Sequence, residues 1–117
     1  MRAKLRFIES NDTLDWETFA DRESLDPLND WGWFTVGVGP AEEQGTDLFQ
    51  VVACTPTAKH KIIAGHKEFR GVVVDSFDPE SIKTALHHLV DSISGADWPD
   101  CVRQLQAALH WEYEEMA

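Results

Sequence analysis

The sequence predicts an α+β fold, in which an antiparallel sheet of about four strands is covered on one face by two C-terminal helices. Stretches rich in β-branched and aromatic residues occupy the first two thirds of the chain, and two amphipathic helical patterns occupy the last third. The two kinds of pattern do not alternate, which favours α+β over α/β. With 117 residues the chain has the size of one domain, which we place over residues 1–117.

The first strand is predicted over residues 2–9, where the residue character alternates with the period of two that is typical of a half-buried strand. Its core side is expected to carry Ala3, Leu5 and Phe7. Residues 10–30 mix turn-forming residues with scattered large apolar groups. We expect at most a short helix within 13–22, and its possible capping residues are Asn11, Asp12 and Thr13.

The second and third strands are predicted over 31–38 and 48–55, and a polar loop joins them into a hairpin. Pro56 ends the third strand because proline lacks the donor that a ladder needs. A helical turn is expected within 57–65. The fourth strand is predicted over 69–75, where three successive valines indicate a strand that is central or buried on both faces.

Two helices are predicted at the end of the chain. The first has Asp78 as its N-cap, Pro79 at its first position and Gly95 as its C-terminal cap. The second begins at Asp97. The positions expected to be buried against the sheet, at the centres of the two apolar stripes, are Leu86, Leu89, Val102 and Leu105.

Trp111 and Glu112 present a conflict of phase at the end of the second helix. At about 100° per residue, Trp111 falls outside the apolar stripe and Glu112 falls within it. Either the helix ends near residue 110 and Trp111 packs onto the sheet, or the helix continues and Glu112 is a carboxylate that needs a partner. We favour the first interpretation, and the second leaves Glu112 and Glu114 as candidate partner-binding residues.

Composition excludes several classes of protein. The apolar content of 43 %, with five Trp and six Phe, excludes a disordered chain. The N-terminus alternates charged and apolar residues, and no stretch reaches membrane-spanning length, so we expect a cytoplasmic protein with no membrane contact. Cys54 and Cys101 are expected to be reduced, buried thiols. The net charge of −11 argues against a nucleic acid ligand and favours a basic partner.

The most informative segment is 9–47, which holds eleven carboxylates and a single cation, Arg22, and so carries a net charge of −10. Acid that is gathered among large apolar residues indicates a surface for a basic protein, with charge steering the encounter and aromatic rings anchoring the contact. A solvated acidic loop is the alternative. The predicted partner-binding residues here are Asp12, Asp15, Trp16, Glu17, Phe19, Asp21, Glu23, Asp26, Asp30, Glu42, Glu43 and Asp47.

No catalytic, metal or cofactor site is expected. The five histidines do not form a ligand set, and no glycine-rich phosphate loop precedes a helix. Cys54 lies at the end of a predicted strand, where a small buried residue is the ordinary occupant.

Four stretches carry a resemblance to a known family: 34–40 (FTVGVGP), 49–56 (FQVVACTP), 72–78 (VVVDSFD) and 111–114 (WEYE). In order and spacing they resemble the Immunity protein 8 family of bacterial polymorphic toxin systems, which include contact-dependent growth inhibition. The resemblance implies a small cytosolic protein that binds and neutralises a cognate toxin domain delivered by another cell. Many such toxins are nucleases with basic clefts, which agrees with the acidic segment. The resemblance implies no catalytic residues.

Three functions therefore remain open from the sequence. The leading hypothesis is a stoichiometric inhibitor of a toxin domain. The second is a small-molecule or peptide binding module of α+β type, which would have a concave apolar site. The third is an enzyme that uses Cys54 or Glu112.

Overall fold

The computed structural model describes residues 1–13, 15–21, 24–63 and 70–111, and it confirms the α+β fold class. A sheet of five strands carries two longer helices from the last third of the chain on one face. The strands are β1 (Ala3–Ser10), β2 (Trp31–Pro40), β3 (Asp47–Cys54), β4 (Gly71–Val73) and β5 (His110–Trp111). The helices are α1 (Trp16–Ala20), α2 (Pro56–Ile63), α3 (Pro79–Asp91) and α4 (Trp98–Ala108).

The strand order is β1-β2-β3-β4, and β5 pairs with β3 beside β4. The predicted hairpin is confirmed, since β2 and β3 pair antiparallel from end to end. β4, however, runs parallel to β3, which differs from the all-antiparallel prediction. α2 follows β3 directly and returns the chain along the sheet, so the next strand enters in the same direction. The predicted central position of the fourth strand was also wrong, because β4 is at the sheet edge and Val73 is 42 % exposed.

The core lies between the sheet and the helices α3 and α4. Every second residue of β2 and β3 points into it, and the helices contribute their apolar stripes. Leu86, Val102 and Leu105 are buried as predicted, whereas Leu89 is only half-buried at the edge of the core. The largest fully buried side chains of this layer include Phe34, Val36, Phe49, Ile82, Leu86, Leu105 and Leu109.

A β-bulge in β1 changes which side chains face the core. The register with β2 shifts between Leu5 and Phe7, so that the alternation is reset by one residue. Phe7 therefore lies on the outer face, where its ring covers Gly37, and it is 39 % exposed. Ile8 packs against the core instead. The predicted core position of Phe7 was wrong for this reason.

Aspartate caps start the helices α3 and α4, as predicted. The Asp78 carboxylate accepts the Ser81 N–H at 2.8 Å, and the Asp97 carboxylate accepts the Asp100 N–H at 2.9 Å. The end of α3 differs from the prediction, since the helix stops at Asp91 and Gly95 lies beyond it.

The conflict of phase at Trp111 is resolved in favour of the helix ending. α4 stops at Ala108, and the backbone of His110–Trp111 then pairs antiparallel with Phe49 and Gln50 of β3. The candidate residues Glu112 and Glu114 lie outside the described residues.

Candidate functional site

The predicted partner-binding carboxylates of segment 9–47 fall into two groups at opposite ends of the sheet. The end of β1 pairs with Phe34, whereas its start pairs with Pro40, about 20 Å away along β2. We call the group near the end of β1 and around α1 the acidic face, and its members are Asp12, Asp15, Glu17, Asp21, Asp26 and Asp30. The hairpin acids, at the other end, are Glu42, Glu43 and Asp47. Glu23 lies outside the described residues.

The hairpin acids lie among cations. The start of β1 brings Arg2, Lys4 and Arg6 beside this hairpin, and the Arg6 guanidinium donates to the backbone carbonyls of Pro40 (2.6 Å) and Glu43 (2.7 Å). These cations offset part of the negative charge of the hairpin acids, because opposite charges cancel at short range.

The carboxylate of Asp47 makes a hydrogen bond within the fold. Its Oδ2 accepts the indole N–H of Trp98 at 2.7 Å, which joins the start of β3 to the start of α4. A partner that drew this carboxylate away would leave a half-buried donor unpaired.

Two carboxylates of the acidic face also have local structural partners. Asp15 caps α1, and the pKa of its carboxyl lies below the ordinary value because the backbone N–H and then the hydroxyl of Thr18 donate to it. The capping residue is thus Asp15, and none of the three residues predicted for that role. The Asp30 carboxylate accepts the Ser24 hydroxyl and the Trp31 N–H.

The two aromatic residues predicted to anchor a partner are directed inward. Phe19 is 8 % exposed and meets Phe34 edge-on at 5.0 Å and Phe77 edge-on at 5.9 Å between ring centroids. Trp16 is half-buried, with its ring centroid 5.3 Å from that of Phe19. These rings attach α1 to the core, and Phe19 packs within that core.

Three other apolar side chains are exposed beside the acidic face. They are among the large apolar residues of segment 9–47, but not among the predicted partner-binding residues. Leu25 is 104 % exposed, Leu28 is 67 % exposed and Trp31 is 46 % exposed. Single exposed apolar residues are ordinary, but three within seven residues, interleaved with Asp26 and Asp30, concentrate apolar surface in one loop. We call Leu25, Leu28 and Trp31 the apolar patch.

The loop that carries this patch is tethered at several points. The Asp26 carbonyl accepts the Asn29 N–H at 3.0 Å, and the Pro27 carbonyl accepts the Phe77 N–H at 2.8 Å. At the end of the loop, the buried Thr55 donates its N–H to the Asp30 carbonyl at 3.1 Å. These bonds fix the backbone of the loop to the core, so a partner that binds the leucines has less chain entropy to remove.

A cleft opens between the acidic face and the core. Its volume is about 100 Å³, below the 300 Å³ or so at which small-molecule sites begin. This cleft is therefore smaller than the site that a small-molecule binding module would need, whereas the depression between β4 and α3, at about 530 Å³, is larger and more open. The residues that line the cleft include Ser10, Asp12, Ser24, Asp30, Trp31 and Phe77.

The described residues were also compared with what a metal site, a membrane-spanning helix and a nucleophilic cysteine require. Among them, no group of His, Cys, Asp and Glu is arranged to hold a metal ion, and no helix is long and apolar enough to cross a bilayer. Cys54 is fully buried, and burial raises the pKa of its thiol, which keeps the protonated, weakly nucleophilic form.

An acidic face around an apolar patch, carried on a tethered loop of a small α+β domain, is typical of a domain that binds another protein. A family model described as Immunity protein 8 matches residues 3–116, which is nearly the whole chain. The chain belongs to this family, and it is therefore an immunity protein directed against a toxin. No curated protein and no solved structure matches the chain.

Proposed function

We propose that the protein acts in the cytoplasm as a stoichiometric inhibitor, without catalysis of its own, and that it binds a basic toxin domain of nuclease type through the acidic face and the apolar patch. The toxin would come from a contact-dependent or related delivery system. The whole chain acts as one domain in this proposal.

The apolar patch is the observation that carries the proposal. Interfaces between proteins combine an apolar centre, which is desolvated on binding, with a polar rim that stays wet. Leu28 and Trp31 supply such a centre, and the carboxylates on either side of them supply the rim. A nuclease presents cations where it holds its nucleic acid, so the rim matches the surface that must be blocked.

Co-expression tests the inhibitor function. Cells that produce the toxin domain encoded next to this protein are expected to survive when the protein is present in equal amount, and to die without it. The purified pair should form a 1:1 complex by light scattering, as a stoichiometric inhibitor requires. Equal killing with and without the protein, for every linked toxin domain, would reject the proposal.

Charge reversal tests the location of the contact. Asp12→Lys with Asp21→Lys is expected to slow association with the toxin about tenfold at low salt, because steering depends on local charge. Both residues are exposed, and neither carboxylate bonds to another of the described residues. The effect should shrink at about 1 M salt, where the Debye length is about 3 Å. Stopped-flow association rates at two salt concentrations make the measurement.

Glu42→Lys with Glu43→Lys is the matched control, since it changes the net charge by the same four units at the other end of the sheet. We expect it to slow association much less. Equal slowing by both pairs would show that total charge, and not the acidic face, governs the encounter.

A further inference from the structure

Among the residues that the structure describes, no strand pairs with the outer edge of β4. The Val74 N–H donates to the Cys54 carbonyl at 2.8 Å, and the direction of backbone groups alternates along a strand. The N–H and C=O of Val73 therefore point away from β3. None of the described residues pairs with this side of β4, and Val73 is 42 % exposed.

A groove lies beside this edge, between β4 and the exposed side of α3. It is shallow and open to solvent, with a volume of about 530 Å³, so an extended segment has room to lie across it. Asp75 and Glu80 give the groove a negative charge, and Ser81 and Thr84 add hydroxyls. A segment that enters it would meet unpaired backbone groups on one side and acid on the other.

The open edge continues into the acidic face. β4 leads through Asp75 to Phe77, whose N–H holds the Pro27 carbonyl of the tethered loop at 2.8 Å. Leu28 is the next residue of that loop. One partner of ordinary size can therefore cover the apolar patch and reach the edge of β4 at the same time.

The other outer edge, on β1, is protected against strand addition. Its register shifts at Arg6, between Leu5 and Phe7, and Lys4 lies just before this bulge. Bulges and cations are the devices by which proteins block pairing at a sheet edge. β4 contains only glycine and valine, and its pairing with β3 has no bulge. The edge at β4 therefore lacks the features that block strand addition at β1.

We infer that the toxin contributes an extended, basic segment that adds to the outer edge of β4 as a further strand. The inference rests on the proposed function and names how part of the toxin is held. Main-chain hydrogen bonds to Val73 would give affinity, and cationic side chains of the segment would lie against Asp75 and Glu80.

Val73→Pro tests this inference. Proline removes the outward N–H and places its ring at the edge, yet it breaks no ladder bond, because that N–H does not face β3. We expect the toxin complex to weaken at least tenfold by calorimetry. Val73→Thr keeps the N–H and the β-branched shape, and it should bind as the original protein does. Melting temperatures of both variants show whether the fold is kept.

Hydrogen exchange of the unaltered protein gives a second measurement that needs no variant. The amide of Val73 is expected to exchange rapidly when the protein is free and to become protected in the toxin complex. If the protein binds the toxin but Val73→Pro binds equally well and the Val73 amide stays unprotected, strand addition is rejected and the proposed function stands. If the unaltered protein binds no linked toxin, the proposed function itself fails.

Discussion

Replacing Trp31 with Ala is expected to speed dissociation of the toxin complex by about 30-fold or more, which corresponds to about 2 kcal/mol of binding free energy. Trp31 begins β2 and belongs to the apolar patch, and 46 % of it is exposed. An aromatic ring that is desolvated at the centre of an interface acts after encounter, so the association rate should change little. Surface plasmon resonance gives both rate constants.

Phe7→Ala provides the control for this experiment. Phe7 is also an exposed aromatic residue, at 39 %, but it lies over Gly37, six residues along β2 from Trp31. Its removal should leave the dissociation rate within about twofold, and the melting temperature of each variant shows that the fold is intact. A larger effect of Phe7 than of Trp31 would move the interface to the outer face of the sheet.

Replacing Leu86 with Ala is expected to lower the free energy of unfolding by about 2–5 kcal/mol, through lost burial and the cavity left behind. Leu86 is 1 % exposed and belongs to the core between α3 and the sheet. This cost is a large part of the 5–15 kcal/mol or so that a domain has in total. Urea unfolding followed by circular dichroism makes the measurement.

Leu89→Ala is the comparison, because Leu89 has the same side chain and lies one turn further along α3, but is only half-buried. We expect it to cost less than half as much. An equal cost at both positions would show that the face of α3 is assigned incorrectly.

The C-terminal helices were predictable because their signals are local. A cap, a proline in the first turn and a stripe of apolar residues all lie within one short stretch of sequence, as at Asp78 and Asp97. The sheet was predictable only in part. The parallel direction of β4 and the bulge between Leu5 and Phe7 are set by contacts with distant strands, which a single sequence does not display.

The acidic face could be located from charge, but the aromatic residues on it could not be oriented. In residues 10–30 the large apolar groups follow no regular period, so nothing in the sequence separates Phe19, which fills the core, from Leu25 and Leu28, which face solvent. One weak signal in the sequence indicated that Leu25 and Leu28 are exposed. They lie in a run of Ser, Asp, Pro and Asn, which is typical of a loop.

The pairing of the first residues with the segment near Gly95 affects when the fold can be completed. The Ala3 N–H donates to the Ile93 carbonyl at 3.2 Å, and the Gly95 N–H donates to the Met1 carbonyl at 2.9 Å. At about 5–20 residues per second, a ribosome needs roughly 5–20 s to make the intervening chain. The first strand therefore waits for most of the chain to be synthesised before it acquires these contacts. A newly started chain can therefore add to the cell's supply of folded protein only after this delay.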